Sequence, residues 1–314
     1  MPINSPYHRG ELEVQELAGE QAQARRNGGI VSDHIAAGAL EFIRQQSLAV
    51  AATLDRAGYP WASLLLGPPG FMSAPDPSQI AIDFMQRPLA EDDVFFTNLA
   101  GDRRMGLLII DLATRRRMRA NGRLKRFAGN RLAMKVEEAY PNCPKYIERR
   151  HFRLGPPSGS APKRRSGTRF DQARSDMIAR SDTFFVASAY PGGGLDASHR
   201  GGPRGFVEVL EDNRLRIPDY TGNSLFNTLG NLLEHPQAGL AFLDFEGGRL
   251  LQLIGQARVA FEQPDPERRS GGTGRFWELQ VERWVERSLT RQVEWEFLDS
   301  SPFNQRIADQ TVTT

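Results

Sequence analysis

Short apolar runs bounded by turn residues dominate the hydrophobic pattern of this chain. Residues 48–54 and 184–190 are rich in β-favouring side chains, and hairpin-type turns (GYP and PGGG) follow them. Near the end, Trp277, Leu279 and Val281 alternate with polar residues, and a period of two is typical of a strand with one buried face. Further strands are predicted on the same grounds at residues 94–97, 106–112, 215–217, 239–245, 250–255 and 293–297.

Helical periodicity is confined to a few segments. Residues 36–46 and 170–180 each precede a predicted strand, and residues 223–236 carry leucines at helical spacing up to Pro236. The regular strand and helix alternation of a parallel sheet is missing. Many short strands with a few helices predict a mainly β protein, an antiparallel β-barrel with flanking helices.

The predicted elements occur twice in the same order. Ser47 aligns with Thr183 at an offset of 136, and Gly70 aligns with Gly205 at an offset of 135. Two further glycine pairs, at 106 and 122 and at 239 and 255, both span 16 positions. We therefore predict two tandem barrels, with an N-terminal domain at 1–152 and a C-terminal domain at 170–314. The Pro, Gly, Ser and Arg content of residues 153–169 predicts a linker, and residues 262–275 are predicted to be a surface loop.

Composition and charge exclude several classes of protein. Lys and Arg number 40 against 38 Asp and Glu, and the net charge of +2 argues against a dedicated nucleic-acid binder. A single cysteine, Cys143, excludes an intrachain disulfide, and the five scattered histidines have no metal-ligand spacing. No apolar run approaches the roughly 20 residues that span a bilayer, and the polar start lacks a secretion signal. We expect a cytoplasmic protein with no metal site and no nucleic-acid or membrane partner.

The most informative stretch for chemistry is residues 214–232. A predicted strand enters the turn PDYTGN, and Thr221, Asn223 and Ser224 then crowd the start of a predicted helix. Free N–H groups at a helix start favour an anion, and hydroxyl and amide groups add donors. Asn227 lies four positions after Asn223, which predicts that both share one helix face. The alternative is plain helix capping by Asn or Ser.

Two other stretches carry candidate site residues. Ser198, His199 and Arg200 precede a Gly-Gly-Pro turn, where a flat ligand could approach the backbone closely. The alternative is an exposed hairpin. In YPNCPKYIERR, Lys145 and the nearby arginines either reach an anionic ligand or form a solvated face, and Cys143 is interpreted as a structural thiol.

Several long segments together resemble one known family. They are YHRGE, PWASLLLGPPGF, DVFFTNLAGDRRMGLLIIDL, PNCPKYIERR, DASHRGGPRGF, DYTGNSLFNTLGNLLEHPQAGLAFLDF and VEWEFLDSSPFN. The chain resembles the pyridoxamine 5'-phosphate oxidase-like FMN-binding split-barrel proteins, in particular members with two tandem barrels. This resemblance implies FMN held at the seam between the barrels.

The resemblance also implies roles for particular residues. Tyr220 and Thr221 match the turn that leads to the phosphate site, but Asn223, Ser224 and Asn227 replace the family's basic cluster. The phosphate charge is then balanced by Arg200, Arg214, Arg216 or a residue of the other barrel. Ser198 and His199 fall on the strand beside the flavin ring. The first domain appears as a degenerate copy with a shortened helix, which contributes a wall and Lys145 or Arg119 to the seam.

The implied function is an FMN-dependent oxidoreductase that exchanges hydride between FMN and a small organic substrate. NAD(P)H or a separate reductase is the expected electron partner. The alternative is a flavin- or haem-binding module without turnover, a sensor or store. Either the two barrels pair within one chain, as two copies do in the homodimer of single-domain relatives, or the chain forms a further homodimer.

Overall fold

A computed structural model describes residues 5–157 and 163–312. Its first half begins with three helices and then forms strands interrupted by a fourth helix. The elements are α1 (Arg9–Leu17), α2 (Gln21–Asn27), α3 (Ala37–Gln45), β1 (Leu48–Leu54), β2 (Pro60–Leu66), β3 (Met72–Asp76), β4 (Gln79–Asp83), α4 (Val94–Gly101), β5 (Arg104–Asp111), β6 (Arg116–Ala128) and β7 (Arg131–Pro141).

The second half repeats this succession and adds terminal elements. The elements are β8 (Arg149–Pro157), β9 (Arg164–Gly167), α5 (Gln172–Arg180), β10 (Thr183–Ala189), β11 (Leu195–Gly201), β12 (Glu208–Leu210), β13 (Arg214–Pro218), α6 (Asn227–Glu234), β14 (Gln237–Asp244), β15 (Arg249–Ala260), β16 (Phe276–Ser288), β17 (Arg291–Asp299) and α7 (Pro302–Val312).

The two main sheets have the same topology. The first runs β2-β1-β5-β6-β7-β4-β3, and the second runs β11-β10-β14-β15-β16-β13-β12, which is the same order shifted along the chain. Neighbouring strands pair antiparallel in both. Leu65 of β2 and Met72 of β3, from opposite ends of the first sheet, share one apolar core, so the sheet wraps around it. The mainly β, duplicated split-barrel fold is therefore confirmed.

The sheets pack against each other with pseudo-twofold symmetry. A Cβ on Gly106 of β5 would lie 2.2 Å from the backbone oxygen of Leu195, and a Cβ on Gly239 of β14 would lie 2.1 Å from that of Pro60. Each edge strand therefore presses on the glycine of the other sheet. A separate apolar core, which includes Val50 and Phe185, fills this interface. Because β1 and β10 are buried on both faces, their sequences are continuous apolar runs instead of alternating ones.

Several predicted elements differ in the structure. Residues 94–97 are not a strand but the start of α4, because Asp93 caps the helix by accepting from the Phe95 N–H at 3.0 Å. α4 has eight residues, as has α6, so the expected shortening of the first-domain helix is wrong. α6 begins at Asn227 and not at Asn223, because Ser224 and Phe226 have left-handed φ values of 62° and 59°.

The predicted linker and the predicted surface loop both pack on the second half. Residues 153–157 belong to β8, which pairs with β17. Residues 164–167 form β9, which pairs antiparallel with β16. Residues 158–162 lie outside the described residues. In the 262–275 loop, Ser270 and Arg275 are buried, and Arg275 donates to Asp219 at 3.1 Å. Polar composition alone did not reveal these contacts.

Candidate functional site at the seam between the two sheets

A cleft opens between the two halves beside β11 and the start of α6. Eight of the ten predicted binding residues line it: Lys145, Ser198, His199, Arg200, Tyr220, Asn223, Ser224 and Asn227. Its cavity volume is about 100 Å³, less than most ligand pockets have, so a ligand of cofactor size would extend beyond it along the open cleft. Arg117, Arg119, Lys145 and Arg200 bring positive charge to the wall, and Asp219 brings negative charge. The cleft is thus suited to an anionic ligand.

His199 projects from β11 with its ring buried and unpaired. Neither Nδ1 nor Nε2 has a hydrogen-bond partner among the described residues, although the ring is only 3% exposed. Its one aromatic neighbour, Phe185, meets it edge to face at 5.8 Å. Burial, with nearby Arg117 and Arg200, holds the pKa of His199 well below its usual value. The ring is therefore neutral at pH 7 and presents one donor and one acceptor.

Arg200 and Tyr220 add two more unpaired polar atoms to the same wall. The Nε of Arg200 and the hydroxyl of Tyr220 are buried without a partner in the described chain. The terminal nitrogen of Arg200 lies 3.8 Å from Asp219, too far for a hydrogen bond. Burial raises the pKa of Tyr220, so its hydroxyl stays protonated. Buried polar atoms normally have partners, and these two, with the two of His199, point to a ligand.

Ser198 joins the two halves of the chain. Its hydroxyl accepts from a terminal nitrogen of Arg119 on β6 and lies 3.1 Å from the hydroxyl of Thr228 on α6. The Nε of Arg119 also donates to the backbone oxygen of Ala197 at 3.0 Å. Arg119 therefore reaches the seam, as the resemblance implied, but its donors are largely satisfied by protein groups.

The predicted anion cluster at the start of α6 is already engaged by the N-terminal helices. The side chain of Asn227 donates to Glu11, and Ser224 donates to Glu20 at 2.6 Å. Asn223 instead accepts from the backbone N–H of Leu225 at 3.2 Å, so it caps a turn ahead of the helix. Asn223 and Asn227 therefore do not share a helix face. These contacts follow from α1 packing on α6, which no sequence motif indicated.

Two predicted residues lie elsewhere. Arg216 points away from the cleft, where it packs over Phe276 at 3.9 Å and pairs with Glu208 at 3.7 Å. Thr221 is exposed, and only its backbone oxygen is used, as the acceptor of the Tyr146 hydroxyl at 3.0 Å. Arg216 lies on β13, two residues before the turn that begins at Pro218. This position in the sequence did not determine which face of the strand its side chain occupies.

The first half supplies a residue that the sequence reasoning missed. Arg117 of β6 lines the cleft and donates to the backbone oxygen of Cys143, which holds the 142–146 segment against β11. Cys143 lines the cleft and is partly exposed. The repeat contained a signal for this residue. Arg117 aligns with Leu250 of the second copy, so a cation in one copy stands where the other has an apolar residue.

The pseudo-equivalent seam lacks this chemistry. The framework contacts are retained there: Gln252 donates to the oxygen of Ala62 as Arg119 does to that of Ala197. Position 64, the counterpart of His199, is leucine, and position 65, the counterpart of Arg200, is also leucine. Leu64 and Leu65 are both buried in apolar cores. The Oε1 of Gln252 still lacks a partner among the described residues, but the ring nitrogens and guanidinium of the first seam are replaced by apolar side chains at the second.

Comparisons with known proteins found similar structures only. No protein-family model matches the chain, and no curated protein is significantly similar to it.

Among residues 5–157 and 163–312, no set of His, Cys, Asp or Glu is arranged to hold a metal ion. Within the same residues no helix has the length and apolar character needed to cross a membrane.

Three solved structures illustrate the similarity. HupZ from Group A Streptococcus is 14% identical, with 42% of this chain and 98% of that chain covered and a TM-score of 0.29. A putative pyridoxamine 5'-phosphate oxidase from Lactobacillus delbrueckii is 15% identical, with 35% and 95% covered and a TM-score of 0.28. A pyridoxamine 5'-phosphate oxidase-related, FMN-binding protein from Nostoc punctiforme is 11% identical, with 40% and 92% covered and a TM-score of 0.25. Over about 40% of its length, this chain is similar to pyridoxamine 5'-phosphate oxidase-like FMN-binding proteins.

Proposed function

We propose that the seam cleft binds FMN and that the chain is an oxidoreductase that exchanges hydride between FMN and a small organic substrate. The observation that carries the proposal is the set of buried polar atoms on the cleft wall without protein partners: both ring nitrogens of His199, Nε of Arg200 and the hydroxyl of Tyr220. A ligand that combines a heteroaromatic ring with a phosphate offers acceptors and donors to all of them.

The cations of the cleft suit the phosphate of FMN. Arg200 has a free Nε and only a distant carboxylate, so a phosphate oxygen would complete its hydrogen bonding. Lys145 contacts the ring of Phe303 at 5.1 Å and has no carboxylate partner among the described residues. Arg117 adds charge from β6 of the first half. These three side chains take the role that the family's basic cluster fills at the helix start.

His199 suits the flavin ring. Because it is neutral, it can donate a hydrogen bond to a ring carbonyl or accept one from a ring N–H without adding charge. FMN itself supplies the hydride chemistry, while the protein binds it, orients it and excludes water. Ser198, held by Arg119 and Thr228, fixes the strand that carries His199. These residues bind and position, and we assign none of them as an obligatory acid or base.

We further propose one FMN per chain. The second seam has Leu64, Leu65 and Leu250 where the first has His199, Arg200 and Arg117. Apolar side chains at these positions remove both the charge and the unpaired donors. The duplication then resembles a two-site dimer of single barrels in which one site has been kept and the other filled.

Absorbance spectroscopy of the purified chain tests the function. We expect a yellow protein, or a colourless one that becomes yellow with added FMN, and anaerobic bleaching by NAD(P)H or a reductase followed by recovery with an acceptor. A protein that binds FMN but is not reduced by any donor would support the module without turnover. A colourless protein that does not take up FMN would refute both.

A further inference from the structure

A second polar cavity lies under the N-terminal helix α1, on the far side of Arg119 from the cleft. It measures about 170 Å³ and is lined by residues from both halves, including Glu11, Asn121, Glu138, Asp196 and Asn231. Glu138 and the Gly193–Gly194 turn are partly exposed, so the cavity meets solvent at that end. Asn227 lines both the cavity and the cleft, but none of the side chains assigned to FMN under the proposed function lines the cavity.

The cavity has an excess of acidic groups. Glu11, Glu138 and Asp196 contribute three carboxyl groups, and no Lys or Arg of the described chain lines it. Arg119, outside the lining, reaches one oxygen of Asp196 at 3.1 Å. Burial, with Asp196 nearby, raises the pKa of Glu11 to about 8. With Glu11 protonated near pH 7, Glu138 and Asp196 face one arginine, and a bound cation would stabilise the negative charge that remains.

Asn121 shows that the cavity lacks a donor. The side chain is 3% exposed and its Oδ1 has no hydrogen-bond partner among the described residues. Its Nδ2 donates to Asp196 at 2.7 Å and to Glu138 at 3.1 Å. The amide cannot be turned over, because that would place its oxygen against two carboxylates. A residue of the cavity lining therefore carries a buried acceptor that no donor of the described residues satisfies.

Aromatic rings form the remaining wall. Tyr7, Tyr140 and Tyr190 line the cavity, and His8 stacks on Tyr190 at 4.1 Å. The hydroxyl of Tyr7 donates to the backbone oxygen of Ala24, and the hydroxyl of Tyr140 accepts from Arg119. These two residues therefore offer mainly their ring surfaces to a ligand. Carboxylates combined with aromatic faces recognise organic cations.

We propose that this cavity binds a protonated organic amine. The ammonium group donates to the Asn121 carbonyl and to the carboxylates, and its apolar part packs on the tyrosine rings. A metal ion is disfavoured, because the acidic groups of the described residues are not arranged as ligands around one point. The inference concerns binding alone and does not depend on FMN.

Calorimetric titration of the full-length, FMN-free protein at pH 7.5 tests this. Benzylamine is the probe and benzyl alcohol, which is similar in shape and neutral, is its control. We expect saturable binding of benzylamine, with benzyl alcohol weaker by about tenfold or more. Glu138→Gln should weaken benzylamine by about tenfold, equivalent to one partly screened charge contact. The matched variant is Glu137→Gln, at the preceding residue of β7, which is exposed and pairs with Arg123 at 3.2 Å.

The outcomes separate clearly. Equal affinity for the amine and the alcohol in the unmodified protein would overturn the proposal without reliance on any variant. So would a failure of millimolar benzylamine to bind, or an equal loss in the Glu138→Gln and Glu137→Gln proteins. None of these results bears on FMN uptake, which is measured separately by absorbance.

Discussion

Replacing Arg200 with Met tests whether the cleft binds FMN through this side chain. In the structure the Arg200 Nε has no partner and its nearest carboxylate, on Asp219, is 3.8 Å away, so little is lost in the free protein. A charge-assisted hydrogen bond to a phosphate or ring oxygen contributes about 1.5–3 kcal/mol. The variant should therefore bind FMN roughly 10- to 150-fold more weakly.

Arg216→Met is the matched control for this change. The Arg200 and Arg216 side chains are both 26% exposed, and each substitution removes one positive charge. Arg216, however, contacts Phe276 and Glu208 outside the cleft. Titration of flavin fluorescence gives the two affinities, and thermal denaturation checks that both variants fold. Equal weakening of FMN by the two substitutions would refute the specific role of Arg200 and leave only a general effect of charge.

Three further predictions concern stability. Glu11 is protonated up to about pH 8 when folded but only to about its ordinary 4.5 when unfolded, so stability falls as pH rises between these values. Glu11→Gln should flatten this decline, by about 1.4 kcal/mol per pH unit across the window, in thermal melts at pH 5 to 8. Parallel curves for the two proteins would contradict the raised pKa of Glu11. Gly106→Ala places a Cβ 2.2 Å from a backbone oxygen of the other sheet and should cost about 1–3 kcal/mol in urea unfolding. The control Gly38→Ala, with open space around it, should be neutral or slightly stabilising, and equal effects would argue against the tight interface. His199→Leu, which copies Leu64 of the other seam, should stabilise the FMN-free chain by about 1 kcal/mol while weakening FMN, because a buried unpaired ring is removed; a destabilised variant would mean that the ring has a structural partner.

The repeat could be predicted from sequence because symmetry constrains the same positions twice. Gly106 and Gly239 take the same close contact with the opposite edge strand, so neither tolerates a side chain. Position and residue type are therefore both kept in the two copies, and their alignment predicted the duplicated barrel. The same alignment also contained Arg117, whose mismatch with Leu250 was overlooked as a marker of the retained site.

Other features depended on contacts that local patterns do not carry. An apolar run such as residues 94–97 fits a strand or a buried helix equally, and the Asp93 cap decided for the helix. The start of α6 was misplaced because leucine spacing continues through Ser224 and Phe226, whose left-handed backbone breaks the helix. The engagement of Asn227 by Glu11 required knowing that two segments 216 residues apart are neighbours.

The measurement that most directly tests the central claim is the stoichiometry of FMN binding to the FMN-free chain. Titration followed by flavin absorbance, with unbound cofactor removed by filtration, counts the flavins retained per chain. We predict one FMN per chain in the unmodified protein, with retention reduced in Arg200→Met and unchanged in Arg216→Met. Two equivalent flavins per chain, or none, would contradict the account of one retained and one filled seam.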